Sequence, residues 1–195
     1  MNYLSHIFLS YDDPPTMLGN FIADNLPLKE YHKLPASIQK GVDLHRKIDN
    51  FTDRHPAFKS AVGMLRPNHG KYAPVVLDIL NDHLLAQNWS RFLEVSFTQF
   101  EQTVYESFSS QLHHLSGKAH RHVDTLLRYR YLEAYRFREG MLDVLRRMDI
   151  RTSFPSNFQS GLDDLENQQD SFNSLFLELM DDLIVLVEDY DYPSK

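Results

Sequence analysis

Cysteine is missing from all 195 residues, which excludes a disulfide framework and any thiolate nucleophile or thiolate metal site. No apolar run approaches the ~20 residues of a membrane-spanning helix. The opening Met1-Asn2-Tyr3-Leu4-Ser5-His6 lacks the basic region and apolar core of a secretory signal, so a cytoplasmic location is expected. There is no Gly-rich phosphate loop and no Gly-x-Ser-x-Gly elbow, which argues against nucleoside-triphosphate and serine-hydrolase chemistry. Glu-x-x-His pairs are also absent, against a di-iron carboxylate bundle. No segment keeps the two-residue alternation that half-buried strands need.

What remains is a chain long enough for one domain with a sizeable core. Its hydrophobic fraction of 42% and net charge of −7 are those of a globular protein. Between Lys118 and Arg151 nine basic residues face five acids, and from Leu162 onward ten acids face one lysine. The basic stretch can meet an acidic partner. Nucleic acid is a poor match for this overall charge, which lacks a basic stripe interleaved with exposed aromatics.

Periodicity reads as helix nearly throughout. Expected helices cover Asn2–Ser10 and Met17–Asp24, the latter capped by Thr16 after a Tyr11–Pro15 loop. A further helix carries His45, and a short one runs from Pro56 to about Pro67 and Gly70. Another holds Asp78 and Asp82 and extends to about Val95. Ser96-Phe-Thr-Gln99 is a capping-box pattern opening the next. Lys118–Asp149 reads as one long amphipathic helix with a kink at Gly140, ended by Pro155. One or two final helices span Asn157–Asp189. The expected architecture is an all-α single-domain helical bundle over residues 1–189, with residues 190–195 as a tail.

Two stretches carry the chemistry. In the first, Ile38, Val42, His45, Asp49 and Thr52 fall on one stripe, and Asp53 extends the line by one turn. In the second, Val75, Asp78, Asp82, Leu85, Trp89 and Phe92 share a stripe, with His83 at its edge. Burying a charge is costly unless it is paired or bound to a metal, and carboxylates four residues apart repel each other. A core His–Asp pair would explain one stripe; two stripes call for a cation. Imidazole with carboxylate suits manganese, iron or zinc better than calcium. Asn20 and Asp24 share a face on an earlier helix, where Gly19 would permit close helix approach, and His6 is flanked by apolar residues.

These residues carry a resemblance. Asn2-Tyr-Leu-Ser-His6, Gly19-Asn-Phe-Ile-Ala-Asp24, His45-Arg-Lys-Ile-Asp49-Asn-Phe-Thr-Asp53 and Leu77-Asp78-Ile-Leu-Asn-Asp82-His83 are similar, in order and spacing, to motifs of the acyl carrier protein phosphodiesterases. Leu132-Glu-Ala-Tyr-Arg136 and Leu142-Asp-Val-Leu-Arg-Arg-Met148 resemble that family's distal helices. The resemblance implies an all-α enzyme akin to the HD phosphohydrolases, though this chain carries Asp82-His83 and no His-Asp doublet. It implies dependence on a divalent metal, typically manganese. It also implies hydrolysis of the phosphodiester joining 4'-phosphopantetheine to holo acyl carrier protein.

On that basis His6, Asp24, His45, Asp49, Asp78 and Asp82 are expected to bind the metal or lie directly behind its ligands. His83 is expected to ligate or to protonate the leaving serine oxygen. Arg46 and Asn20 are candidates for phosphate contact. An acidic carrier protein would dock on arginines of the basic stretch, with Arg128, Arg136 and Arg147 as the expected set. Two alternatives stay open: a metal phosphohydrolase acting on a nucleotide or other small phosphoester, and a non-catalytic helical metal-binding protein.

Overall fold

A computed structural model describes residues 1–11, 13–152, 156–188 and 190. Among these the regular structure is helical, without strands. The α-helices are α1 (Tyr3–Phe8), α2 (Pro14–Ile22), α3 (Leu28–Tyr31), α4 (Ala36–Thr52), α5 (Pro56–His69) and α6 (Ala73–Gln87). They continue with α7 (Trp89–Phe92), α8 (Phe97–Gln111), α9 (Gly117–Tyr129), α10 (Arg138–Arg151), α11 (Ser160–Asn167) and α12 (Gln169–Glu188). Short 3₁₀ turns intervene, two of which matter below: Ala23–Asn25 and Tyr131–Arg136. No helix of the described residues is long and apolar enough to cross a membrane.

The core is organised around α6. Val76, Leu77, Leu80, Leu84 and Leu85 are all essentially buried, and α1, α5, α10, α11, α12 and the Tyr131–Arg136 turn pack on the helix from several sides. A helix covered all round has little use for a single apolar stripe. Val75, expected on the buried face, is accordingly exposed. The helix also stops at Gln87, short of the expected Val95; Trp89 then buries its ring and donates its indole N–H to the Val95 carbonyl.

Helices α2 and α4 meet across two glycines. A Cβ on Gly19 would run into the Ile38 carbonyl oxygen, and one on Gly41 into the Thr16 carbonyl oxygen. Backbone therefore touches backbone, and residues on the two helices are drawn together.

Several boundaries differ from expectation. Helix α2 starts at Pro14, with Asp13 in the cap position and both prolines in the first turn, where their missing N–H groups cost nothing. Thr16 lies inside that turn, and its hydroxyl donates to the Asp13 carboxylate. The Ser96–Gln99 capping box is formed.

The long helix expected from Lys118 to Asp149 is two helices. Arg130 takes a left-handed conformation (φ 45°) and ends α9 with its N–H on the Leu126 carbonyl. The turn that follows buries Leu132 and Tyr135, and that burial outweighs continued helix propensity. Gly140, expected as a kink, instead lets the first turn of α10 lie against the backbone of Ala134. Pro155 and residues 191–195, where the helix break and most of the tail were expected, lie outside the described residues.

Candidate metal centre

Three helices supply the site, and each arrives with a reason. The expected stripe of α4 faces inward: Ile38, Val42, His45 and Thr52 are buried, with Asp49 at the edge and Asp53 out in solvent. Helix α1 is held by Asp82 of α6, whose buried carboxylate accepts from Leu4 N (2.9 Å), Ser5 N (2.9 Å) and Ser5 Oγ (2.6 Å). Those N–H groups belong to the first turn of α1 and have no partner within the helix. Anchoring them sets the height of His6, one residue further on.

Asn20 of α2 links both histidines. Its side-chain amide donates to the His6 carbonyl (2.8 Å), and its own carbonyl accepts from His45 Nδ1 (2.9 Å). The His45 Nε2 atom is thereby turned away from α2 and toward the carboxylates.

The result is a compact donor set. His6 Nε2 lies 3.1 Å from Asp49 Oδ1, and His45 Nε2 lies 3.1 Å from Asp49 Oδ2 and 3.2 Å from Asp24 Oδ1. Donor atoms of His6, His45 and Asp49 all fall within 4.8 Å of one another, so these three residues could hold a metal ion. Both His6 ring nitrogens and Asp49 Oδ1 are buried without a hydrogen-bond partner. The 3.1 Å contact between His6 and Asp49 is close enough for attraction but lacks hydrogen-bond alignment.

Structural His–Asp pairs elsewhere in the chain look different. His55 and His69 reach Asp182 (3.0 Å) and Asp164 (2.9 Å) across helix interfaces through aligned hydrogen bonds, and neither histidine has an orphaned atom. Buried polar atoms without partners call for an explanation, and a cation between His6, His45 and Asp49 would be one.

Electrostatics fit the same picture. Burial, reinforced by neighbouring His45, pulls His6 down to about 4. Burial also disfavours charge on His45, but the carboxylates of Asp24 and Asp49, which accept from it, outweigh that cost and push the imidazole up to about 9. For Asp49 the burial cost is likewise outweighed by the two histidines, which hold its carboxyl well below the usual range. Asp24 is lowered by its hydrogen bond to His45. The side chains of Asp24 and Asp49 are 69% and 39% exposed, so the cluster opens to solvent on their side.

The remaining expected residues sit as follows. Asp78 neighbours the cluster and pairs with the Met1 α-amino group (2.9 Å), which also lies 3.5 Å from Asp49. Burial pushes the Asp78 carboxyl up despite that amine. Both oxygens of Asp82 are spent on α1, and burial raises this carboxyl to about 6. His83 puts Nδ1 against the Tyr135 carbonyl (2.6 Å) and Nε2 against Gln87 (2.9 Å), so it does not join the cluster. Arg46 is exposed, paired with Asp43 (2.9 Å), and lies over the Tyr31 ring.

The Met1 amine and Gly41 have no local sequence signal that marks them. His122 has one, at helical spacing between the apolar Ala119 and Leu126. Its ring stacks on Phe21 with centroids 4.5 Å apart.

An all-α chain that gathers two imidazoles and a shared carboxylate on adjoining helices defines a helical protein with a histidine–carboxylate centre. The chain belongs to the acyl carrier protein phosphodiesterase family, whose model matches residues 1–183. An acyl carrier protein phosphodiesterase from Photorhabdus laumondii is 26% identical over 193 residues, 98% of each chain. One from Pectobacterium atrosepticum is 28% identical over 180 residues, 90% of this chain and 92% of its own. One from Escherichia coli is 29% identical over 180 residues, 90% and 86% respectively. No solved structure matches the chain.

Proposed function

We propose that this chain hydrolyses the phosphodiester between 4'-phosphopantetheine and the serine of holo acyl carrier protein, with a divalent metal, manganese, held by His6, His45 and Asp49. The observation that carries the metal reading is the convergence of donor atoms from those three residues, with His6 and Asp49 presenting buried atoms that have no hydrogen-bond partner. Family membership and the names of the relatives support the substrate. Water adds to phosphorus, the bond to the serine oxygen breaks, and that oxygen leaves with a proton. A bound divalent metal would neutralise phosphate oxygens and lower the pKa of water toward neutrality.

In this reading Asp49 bridges the two histidines, and Asn20 orients both. Asp24, exposed at the opening, and Asp78, beside the Met1 amine, complete the anionic lining. Asp82 contributes indirectly by seating α1. Arg46 lies one residue beyond His45 and is free to exchange Asp43 for a substrate phosphate. His83 supports the Tyr131–Arg136 turn, since neither of its nitrogens is open for proton donation in this arrangement. The reading places the protein in the cytoplasm.

Docking of the acidic carrier protein is assigned to Arg128, Arg136 and Arg147. These arginines belong to α9, the 3₁₀ turn and α10, not to one helix face. Arg128 and Arg136 also hold local ion pairs with Asp124 and Glu133 that a partner would have to replace. Such exposed charges act mainly on encounter and are screened by salt. Charge reversal of all three is expected to raise the KM for holo carrier protein at low salt and to flatten its salt dependence.

The test is incubation of metal-loaded protein with holo carrier protein, followed by mass spectrometry for apo-protein and free 4'-phosphopantetheine. Parallel arms contain nucleotides and a generic phosphodiester. Cleavage confined to the small esters would replace the carrier-protein reading with that of a small-molecule phosphohydrolase.

A further inference from the structure

Helix α4 carries chemistry on two opposite sides. His45 and Asp49 face the metal centre. Lys47 stands two positions from each, about half a turn around the helix, and Phe51 and Arg54 follow it at steps of four and three. This outer stripe meets the start of α5 and the last turn of α12 at a cavity of about 400 Å³, a volume in the range of small-molecule sites.

The lining is divided by chemistry. Phe51, Pro56 and Leu186 give it an apolar surface, and none of the three is fully buried. The buried His55 also lines it, but both ring nitrogens are spent. Nδ1 accepts from Ala57 N (3.2 Å), and Nε2 donates to the Asp182 carboxylate (3.0 Å). The positive charge comes from Lys47 and Arg54. Lys47 Nζ lies 5.0 Å from the centroid of the Tyr190 ring, and neither cation has an ion pair among the described residues. Arg46, one position before Lys47, is by contrast paired with Asp43. No carboxylate lines the cavity.

We propose that this cavity binds a small amphipathic organic anion. Its apolar body would rest on Phe51, Pro56 and Leu186, and its carboxylate or phosphate head would be held by Lys47 and Arg54. An apolar surface alone would accept any hydrophobe of the right size. Two cations with no carboxylate beside them select the molecules that carry negative charge. The guanidinium offers paired donors to either head, while the lysine adds a point charge and can lay its stem along the apolar wall. The width of α4 separates this cavity from the His6–His45–Asp49 centre, so the ligand is a molecule other than the phosphoester bound there. The site stands whether or not that centre acts on a carrier protein.

The test uses octanoate and octyl phosphate as probes on the full, metal-loaded chain, with octanol and octylamine as uncharged and cationic controls. Binding is followed by the NMR signals of the Phe51 ring and the His55 imidazole. Both anions are expected to move these signals, and the tighter of the two identifies the head group. Octylamine should leave them in place. Lys47→Gln and Arg54→Gln should each weaken octanoate binding by up to about fivefold, the upper range for an exposed charge pair. The double variant should lose roughly 10- to 25-fold, and the parent should bind octanol more weakly than octanoate by a similar factor. Octanol affinity itself should not change in the double variant.

Neither substitution breaks an ion pair, so both proteins should fold and keep the metal content of the parent. Octanol bound as tightly as octanoate, or unchanged octanoate affinity in the double variant, would overturn the anion site. Octanoate that binds without moving Phe51 or His55 would place the ligand elsewhere and overturn it equally. A double variant that loses metal together with octanoate would reject the separation of the two sites.

Discussion

His6 and His45 stack with ring centroids 3.9 Å apart and planes 20° from parallel, and the Nε2 atoms of both reach the carboxylate of Asp49. Stacking two imidazoles aligns their lone pairs toward one point. It also makes simultaneous protonation costly. Without metal the proton resides on His45, which has two carboxylates, while His6 stays neutral. A divalent cation would take over the role of that proton and give the His6 Nε2 atom a partner.

Removing the shared carboxylate should therefore cost metal first. Asp49→Asn is expected to lose most bound manganese by elemental analysis. It should also lose the thermal stabilisation that metal gives the parent, about 2.7 kcal/mol at a hundredfold excess over Kd. For a chain of this size that corresponds to a rise in Tm of roughly 5–10 °C. An Asp49→Asn protein with full metal content and an unchanged shift on adding manganese would reject this centre.

Asp82→Asn should behave differently. The substitution leaves one carbonyl oxygen to serve three donors and turns an N–H₂ group toward backbone amides. A loss of roughly 2 kcal/mol is expected, measured by urea unfolding in chelator, where metal plays no part. Equal stability of the two chelated proteins would mean that α1 is seated by other contacts.

The metal-free protein should be most stable near pH 6.5. His6 has a lowered pKa in the fold, so its contribution is present above 6.5 and is lost as pH falls toward about 4. His45 has a raised pKa, so its contribution is complete below 6.5 and is lost as pH rises through about 9. Tm scans in chelator should show a fall between pH 7 and 9 that His45→Gln lacks. Metal affinity should rise over the same interval, because the ligating form of His45 is neutral. A parent and a His45→Gln variant with parallel profiles above pH 7 would contradict this assignment.

Gly41→Ala should destabilise the protein by about 1–3 kcal/mol, since its Cβ meets the Thr16 backbone and cannot be relieved by a side-chain rotation. Gly63→Ala, where a Cβ meets nothing within 4 Å, is the control and should be neutral or mildly stabilising. The readout is the urea midpoint of each variant. Metal affinity should drop in Gly41→Ala as well, because α2 carries Asn20 and α4 carries His45.

Much of this molecule is legible in one dimension. The inward line of Ile38, Val42, His45, Asp49 and Thr52 follows from the helical period alone, and so do the capping box at Ser96 and the all-α class. Local rules decide these features, and little in the packing competes with them. The pairing of α2 with α4 was half visible: Gly19 stood out, but its counterpart Gly41 matters only once the helices cross.

Tertiary structure decided the rest wherever several elements compete for one side chain. Asp82 shares a stripe with Asp78, yet it is spent on the amides of α1, a partner 77 residues away that no periodicity reveals. The break at Arg130 arises because burying Leu132 and Tyr135 is worth more than another turn of helix. His122 reads locally as one polar residue on an apolar stripe. Only the packing of α9 against Tyr3 and Phe21 leaves its Nε2 atom buried and without a hydrogen-bond partner. The chain's periodicity thus chose which residues face inward, and long-range packing chose which of them meet.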